Sequence, residues 1–181
     1  MSESVRLRRL SRMMQFAVLA FACFIGFGAL WFLTSWIGDA REFETAIRQA
    51  YSLQGPLALT PPAVALTAVL ASLQFGLVFL ALYCVWQMFG AFGGEEPLSV
   101  EAATWMHRAS IAFVLTVAGS IVLQTVIVLA LTLGNPAGQK VLSVSFGSSQ
   151  GMALLIAAIM YMTGRVLAVA AEVRAEQRDF V

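Results

Sequence analysis

Four long apolar runs separated by short polar stretches organise this chain. A helix needs about 20 mostly apolar residues to cross roughly 30 Å of hydrocarbon. The runs Met13–Ile37, Pro62–Phe89, Ala109–Leu133 and Gln150–Ala171 all meet that length, and none contains an acidic residue. Only Arg165 is charged within a run, near its end, where a long stem can carry the guanidinium to the headgroups. The pattern predicts an all-α fold, a four-helix transmembrane bundle forming a single membrane domain over residues 1–181. It leaves outer loops at 38–61 and 134–149, a cytoplasmic loop at 90–108 and a cytoplasmic tail at 172–181.

Local chemistry sharpens the helix ends. Pro61 and Pro62 suit a helix start, where a missing N–H is no loss. Gly93-Gly94-Glu95-Glu96-Pro97 breaks the chain after the second span, and Ser99 is then an N-cap with Glu101 in the electropositive first turn. Nothing interrupts a helix from Val100 to Leu133, about 50 Å at 1.5 Å per residue. The fourth span likewise runs on into Glu172, Arg174, Glu176 and Arg178. In the first outer loop, Phe43, Ile47 and Tyr51 recur every four residues among charged neighbours. This predicts a short amphipathic helix resting on the membrane surface, with partner binding as the alternative. In the second, Gly134–Gly138 reads as a turn, and Leu142, Val144 and Phe146 alternate as a weak strand that could pair with Leu57–Thr60.

Composition agrees with the pattern. The 181 residues are 60% hydrophobic and 12% charged, against roughly 45–50% and about 25% in soluble domains. A net charge of +1 lacks the basic face that nucleic acid requires, so no direct nucleic-acid partner is expected. Cys23 and Cys84 lie in apolar runs and read as packing thiols rather than a disulfide. With His107 the only histidine, no metal site and no cofactor are expected. The first run follows Arg6, Arg8, Arg9 and Arg12 but exceeds a signal peptide's apolar core of about 7–15 residues, and it reads as a retained anchor.

Charge also sets an orientation. With the N-terminus inside, Arg6, Arg8, Arg9, Arg12, Arg108, Arg165, Arg174 and Arg178 are cytoplasmic, leaving Arg41, Arg48 and Lys140 outside among the 11 basic residues. That asymmetry obeys the positive-inside rule and predicts that both termini are cytoplasmic. Trp31 and Trp36 mark the outer boundary, and Trp86 and Trp105 the inner one.

Two groups of residues are candidate sites. Gln74 and Gln124 reach similar depths in spans two and three. Ala112, Thr116, Ser120 and Gln124 form a small and polar stripe opposite Ala68, Ser72 and Gly76. This seam of Ser72, Gln74, Thr116, Ser120 and Gln124 reads as helix–helix glue, with a path for a small solute as the alternative. The second candidate is a cytoplasmic contact surface of Glu101, His107, Arg108, Glu172, Arg174, Glu176 and Arg178. His107 reads there as an interfacial polar contact, or alternatively as a pH sensor. It has no acidic partner on its own turn, and no residue is assigned a catalytic role.

Two segments resemble a bacterial four-span family, domain of unknown function 2975. One is Gly94-Glu95-Glu96-Pro97-Leu98-Ser99-Val100-Glu101, leading through Met106-His107-Arg108 into the third span. The other is Gly164-Arg165-Val166-Leu167 through Ala171-Glu172-Val173-Arg174-Ala175-Glu176-Gln177 to Asp179-Phe180-Val181. The resemblance implies a small multi-pass protein of the bacterial cytoplasmic membrane without an assigned activity, encoded in some members beside a small helix-turn-helix regulator. Together these readings predict a non-enzymatic membrane component acting through a protein partner, such as a cytoplasmic regulator. A carrier or channel for a small solute is the alternative.

Overall fold

A computed structural model describes residues 3–34, 44–45, 47–49, 60–94, 99–132 and 147–179. The fold is all-α, with four long helices suited to a transmembrane bundle: α1 (Glu3–Thr34), α2 (Pro61–Phe92), α3 (Val100–Thr132) and α4 (Ser148–Asp179). Each contains a segment long and apolar enough to cross a membrane. Their outward side chains suit lipid and not water: Phe24, Phe27 and Trp31 are 74%, 73% and 72% exposed. In water such a continuous apolar surface would be an aggregation site.

The helix ends follow from local chemistry. The carbonyl of Thr60 accepts the Val64 N–H at 3.0 Å, placing Pro61 at the first helical position of α2. That helix closes with Gly93 donating to Phe89 and Gly90, and Gly94 donating to Ala91, all at 3.1 Å. Ser99 caps α3 as its sequence predicts: its Oγ accepts the Ala102 N–H at 3.2 Å, and its carbonyl accepts the Ala103 N–H at 3.2 Å. The helix then runs unbroken to Thr132, and α4 continues past its apolar segment to Asp179. α1 begins well before its apolar run, so Arg6 to Arg12 are helical.

The chain divides into two compact units. One comprises Met1–Cys23, Leu77–Val117 and Ser148–Val181. Its core is Ala81, Cys84, Ala109 and Ala112, covered by Val85, Trp105 and Met160. Small residues three apart on α2 and α3 let the two backbones approach, which is how helices pack tightly when lipid supplies no hydrophobic drive. The other unit comprises Phe24–Gly76 and Ala118–Gly147. Its core is Ile47, Ala63, Ile127 and Leu131, flanked by Val64 and Leu70. Phe32 of α1 meets Phe75 of α2 edge-on, with ring centroids 6.4 Å apart.

Ile47 corrects one expectation. Residues 44–45 and 47–49 are helical, but Ile47 is fully buried against Ala63, Ile127 and Leu131 instead of resting on lipid. The ends of α2 and α3 offer it an apolar floor with defined packing, which a mobile lipid interface cannot match. In the same turn, Arg48 pairs with Glu44 at 2.7 Å, a half-exposed contact of the order of 0.3–0.5 kcal/mol. Cys84 packs as expected, but Cys23 is exposed, and both are free thiols. Phe43, Tyr51, the strand reading at Leu142–Phe146 and its partner segment at 57–59 lie outside the described residues.

Candidate functional site

The start of α3 gathers aromatic and charged side chains at one level. The Arg108 guanidinium lies over the Trp105 ring, 4.8 Å from its centroid, a geometry favoured by the ring quadrupole. Tyr83 of α2 meets Trp105 edge-on at 6.1 Å and stacks on Trp86 at 6.4 Å, while Gln87 Nε2 donates to its hydroxyl at 2.8 Å. Amphipathic rings with polar tips are the side chains that settle at a bilayer boundary. Glu101 and Arg108 are exposed here.

His107 turns the other way, towards α4. Its ring lies 5.0 Å from that of Tyr161, tilted by 47°. Its Nδ1 is buried and has no hydrogen-bond partner among the described residues, while its carbonyl accepts the Ser110 hydroxyl at 2.7 Å. α4 passes close to α3 beside this contact: a Cβ at Gly164 would lie 3.5 Å from the His107 nitrogen and from Met106 Cβ and Cγ. Further along α4, Glu172 is exposed, and the helix carries the backbone of Arg174, Glu176 and Arg178 to its last turn.

The polar seam is only partly assembled. Thr116 donates to the Leu77 carbonyl across the helix pair at 3.1 Å and to Ala112 on its own helix at 2.8 Å. Ser72 is exposed, while Gln74, Ser120 and Gln124 are half-buried. Gln74 and Ser120 have partners of their own, but among the described residues no hydrogen bond joins Gln74 to Gln124. Thr116→Val removes the hydroxyl with little change of shape. It should lower stability in mild detergent by about 0.6 kcal/mol, the average for interhelical bonds in membranes. A thermal-shift comparison with wild type checks this, and an unchanged melting temperature would make the cross-helix bond energetically silent.

A second polar tie escaped the sequence reading. On α1, the Ser11 hydroxyl donates to the Phe89 carbonyl, and Gln15 Nε2 donates to the Trp86 carbonyl at 3.4 Å. Gly90 near the end of α2 and Gly93 just after it make room: a Cβ at Gly90 would lie 2.8 Å from Gln15 Nε2, and one at Gly93 2.8 Å from Ser11 Oγ. The signal was present as two polar residues four apart on α1 and two glycines three apart at the end of α2 and just beyond it. These bonds fix the rotation of α1 about its axis.

The family model for the protein of unknown function DUF2975 matches residues 57–179, from before α2 to the end of α4. The protein is therefore a multi-pass helical membrane protein, and the chain belongs to the DUF2975 family. No match was found among curated proteins or among solved structures.

Proposed function

We propose that the protein is a non-enzymatic accessory or regulatory component of the bacterial cytoplasmic membrane that acts by contact with another protein. Both termini and the α2–α3 connection face the cytoplasm in this reading. The observation that carries it is the continuation of α3 and α4 beyond their apolar segments as helix, with Glu101, Arg108 and Glu172 exposed. Glu101 and Arg108 near the start of α3, and Glu172, Arg174, Glu176 and Arg178 along α4, mix both signs. Mixed charge on helical extensions complements a folded protein surface, whereas anionic lipid favours a cluster of one sign. A cytoplasmic regulator of the kind encoded beside some family members is a partner class that suits this surface.

Truncation after Ala171 tests the proposal, because it removes the charged extension and leaves every apolar segment whole. The shortened protein should insert and fold with its melting temperature close to wild type, yet lose its partner in affinity purification and its regulatory phenotype. A truncated chain that keeps both would exclude the α4 extension from the mechanism.

A further inference from the structure

From Arg6 to Arg12, α1 carries charge of one sign. Arg8, Arg9 and Arg12 are exposed and, together with Met13 and Phe16, line a surface pocket of about 470 Å³. No ion pair or hydrogen bond engages any of these arginines among the described residues. Ser11 and Gln15 bond the carbonyls of α2, so the rotation of α1 is fixed, and the neighbouring positions that hold the arginines are left to the surroundings. Three guanidiniums without a partner among the described residues, on two successive turns, make a strong field for an anion, because each offers several donors in a rigid fork.

Deeper along the same helix is an apolar groove of about 290 Å³. Val18, Leu19 and Ala22 of α1 form one wall, and Phe79, Tyr83 and Trp86 of α2 contribute to the other. Leu19 follows Arg12 by seven residues, so it continues the same stripe about 10 Å further along the helix axis. The aromatic residues Tyr83 and Trp86 are partly exposed at the groove. A basic pocket followed along one helix stripe by an apolar channel at membrane depth matches a ligand with an anionic head and a hydrocarbon tail.

We propose that this face of α1, with its groove against α2, is a binding site for an anionic phospholipid of the surrounding leaflet. The phosphodiester is held by Arg8, Arg9 and Arg12, and one acyl chain lies along Leu19 and Ala22 against Phe79 and Trp86. The site is separate from the mixed-charge extension of α4 and does not depend on its function. Charge selects the headgroup, since the choline cation of a zwitterionic lipid offsets part of its phosphate's attraction while an anionic lipid keeps its net charge, and the groove turns general attraction into a seated ligand.

The test is lipid retention by the purified full-length protein, measured by native mass spectrometry after exchange into detergent with added phosphatidylglycerol or phosphatidylcholine. Wild type should retain phosphatidylglycerol in preference, and excess inorganic phosphate should not displace it. Replacing Arg8, Arg9 and Arg12 together with glutamine should weaken that retention by roughly 100-fold, given about 1 kcal/mol per basic residue at a membrane surface. Because loss of basic residues can also disturb insertion, Ala22→Trp provides a second variant that fills the groove and keeps every arginine. It should release phosphatidylglycerol as well. Equal retention of the two lipids by wild type would overturn the proposal. So would displacement by inorganic phosphate, or an Ala22→Trp protein that retains phosphatidylglycerol fully, which would reduce the site to diffuse charge attraction.

Discussion

Gly164→Leu should strongly destabilise the protein, while Gly164→Ala should leave it as stable as wild type or slightly more so. The difference lies in what each side chain meets. A Cβ at Gly164 falls 3.5 Å from the backbone nitrogen of His107 and from Met106 Cβ and Cγ, which is ordinary van der Waals contact. Alanine therefore fits, and it removes the cost of glycine in a helix, of the order of 0.5–1 kcal/mol. Leucine adds further carbons beyond that contact, where the α3 backbone stands in the way. Overpacking of this kind typically costs about 1–3 kcal/mol, and the high end is expected here because one obstacle is main chain. Relief would require α4 to move away, separating the Tyr161 and His107 rings that now lie 5.0 Å apart. Thermal unfolding in mild detergent distinguishes the variants. A leucine variant as stable as wild type would mean that the close approach of α4 to α3 contributes little to this unit.

What the sequence made legible follows a physical division. Helix length and helix ends depend on local chemistry, and they could be read. Ser99, followed by a long run without a breaker, predicts a helix from Val100 to Leu133, and α3 runs from Val100 to Thr132, the last described residue there. The unbroken passage from the fourth apolar run into Glu172 and beyond likewise matched the extent of α4. Rotation about a helix axis depends on the neighbour, and it could not be read. Depth alone suggested that Gln74 and Gln124 meet, but height in the membrane leaves the direction of a side chain open, and no bond joins them among the described residues. The stripe through Ile47 suits a lipid surface or a protein floor equally well, and only the packed position of Ala63, Ile127 and Leu131 decides between them. Ser11 and Gln15 stand within or beside an arginine cluster, where polar residues resemble ordinary headgroup contacts. Their bonds to α2 become visible only once Gly90 and Gly93 are seen beside them.

Reporter fusions after Gln54 and Gly138 should behave as exported, and fusions after Gly94 and Arg178 as cytoplasmic. Charge sets the orientation. Arg6, Arg8, Arg9 and Arg12 precede the first apolar segment, Arg108 precedes the third, and Arg165, Arg174 and Arg178 lie in or beyond the inner part of α4. Lysine and arginine close to a span are retained on the cytoplasmic side, and short loops obey this bias most strongly. Four helices able to cross a membrane then return the chain to the side where it began. An alkaline phosphatase fusion should accordingly be active at the first pair of sites and inactive at the second, and a fluorescent protein that matures only in the cytoplasm should give the reverse. Each site should read as all or none, because a reporter lies on one side of the bilayer or the other. An exported reporter after Arg178 with a cytoplasmic N-terminus would require an odd number of crossings and would break the four-span topology. A complete inversion at every site would keep the four crossings but place the charged extensions of α3 and α4 outside the cell. The proposed contact with a cytoplasmic regulator would then be untenable, while the lipid site on α1 would face the opposite leaflet.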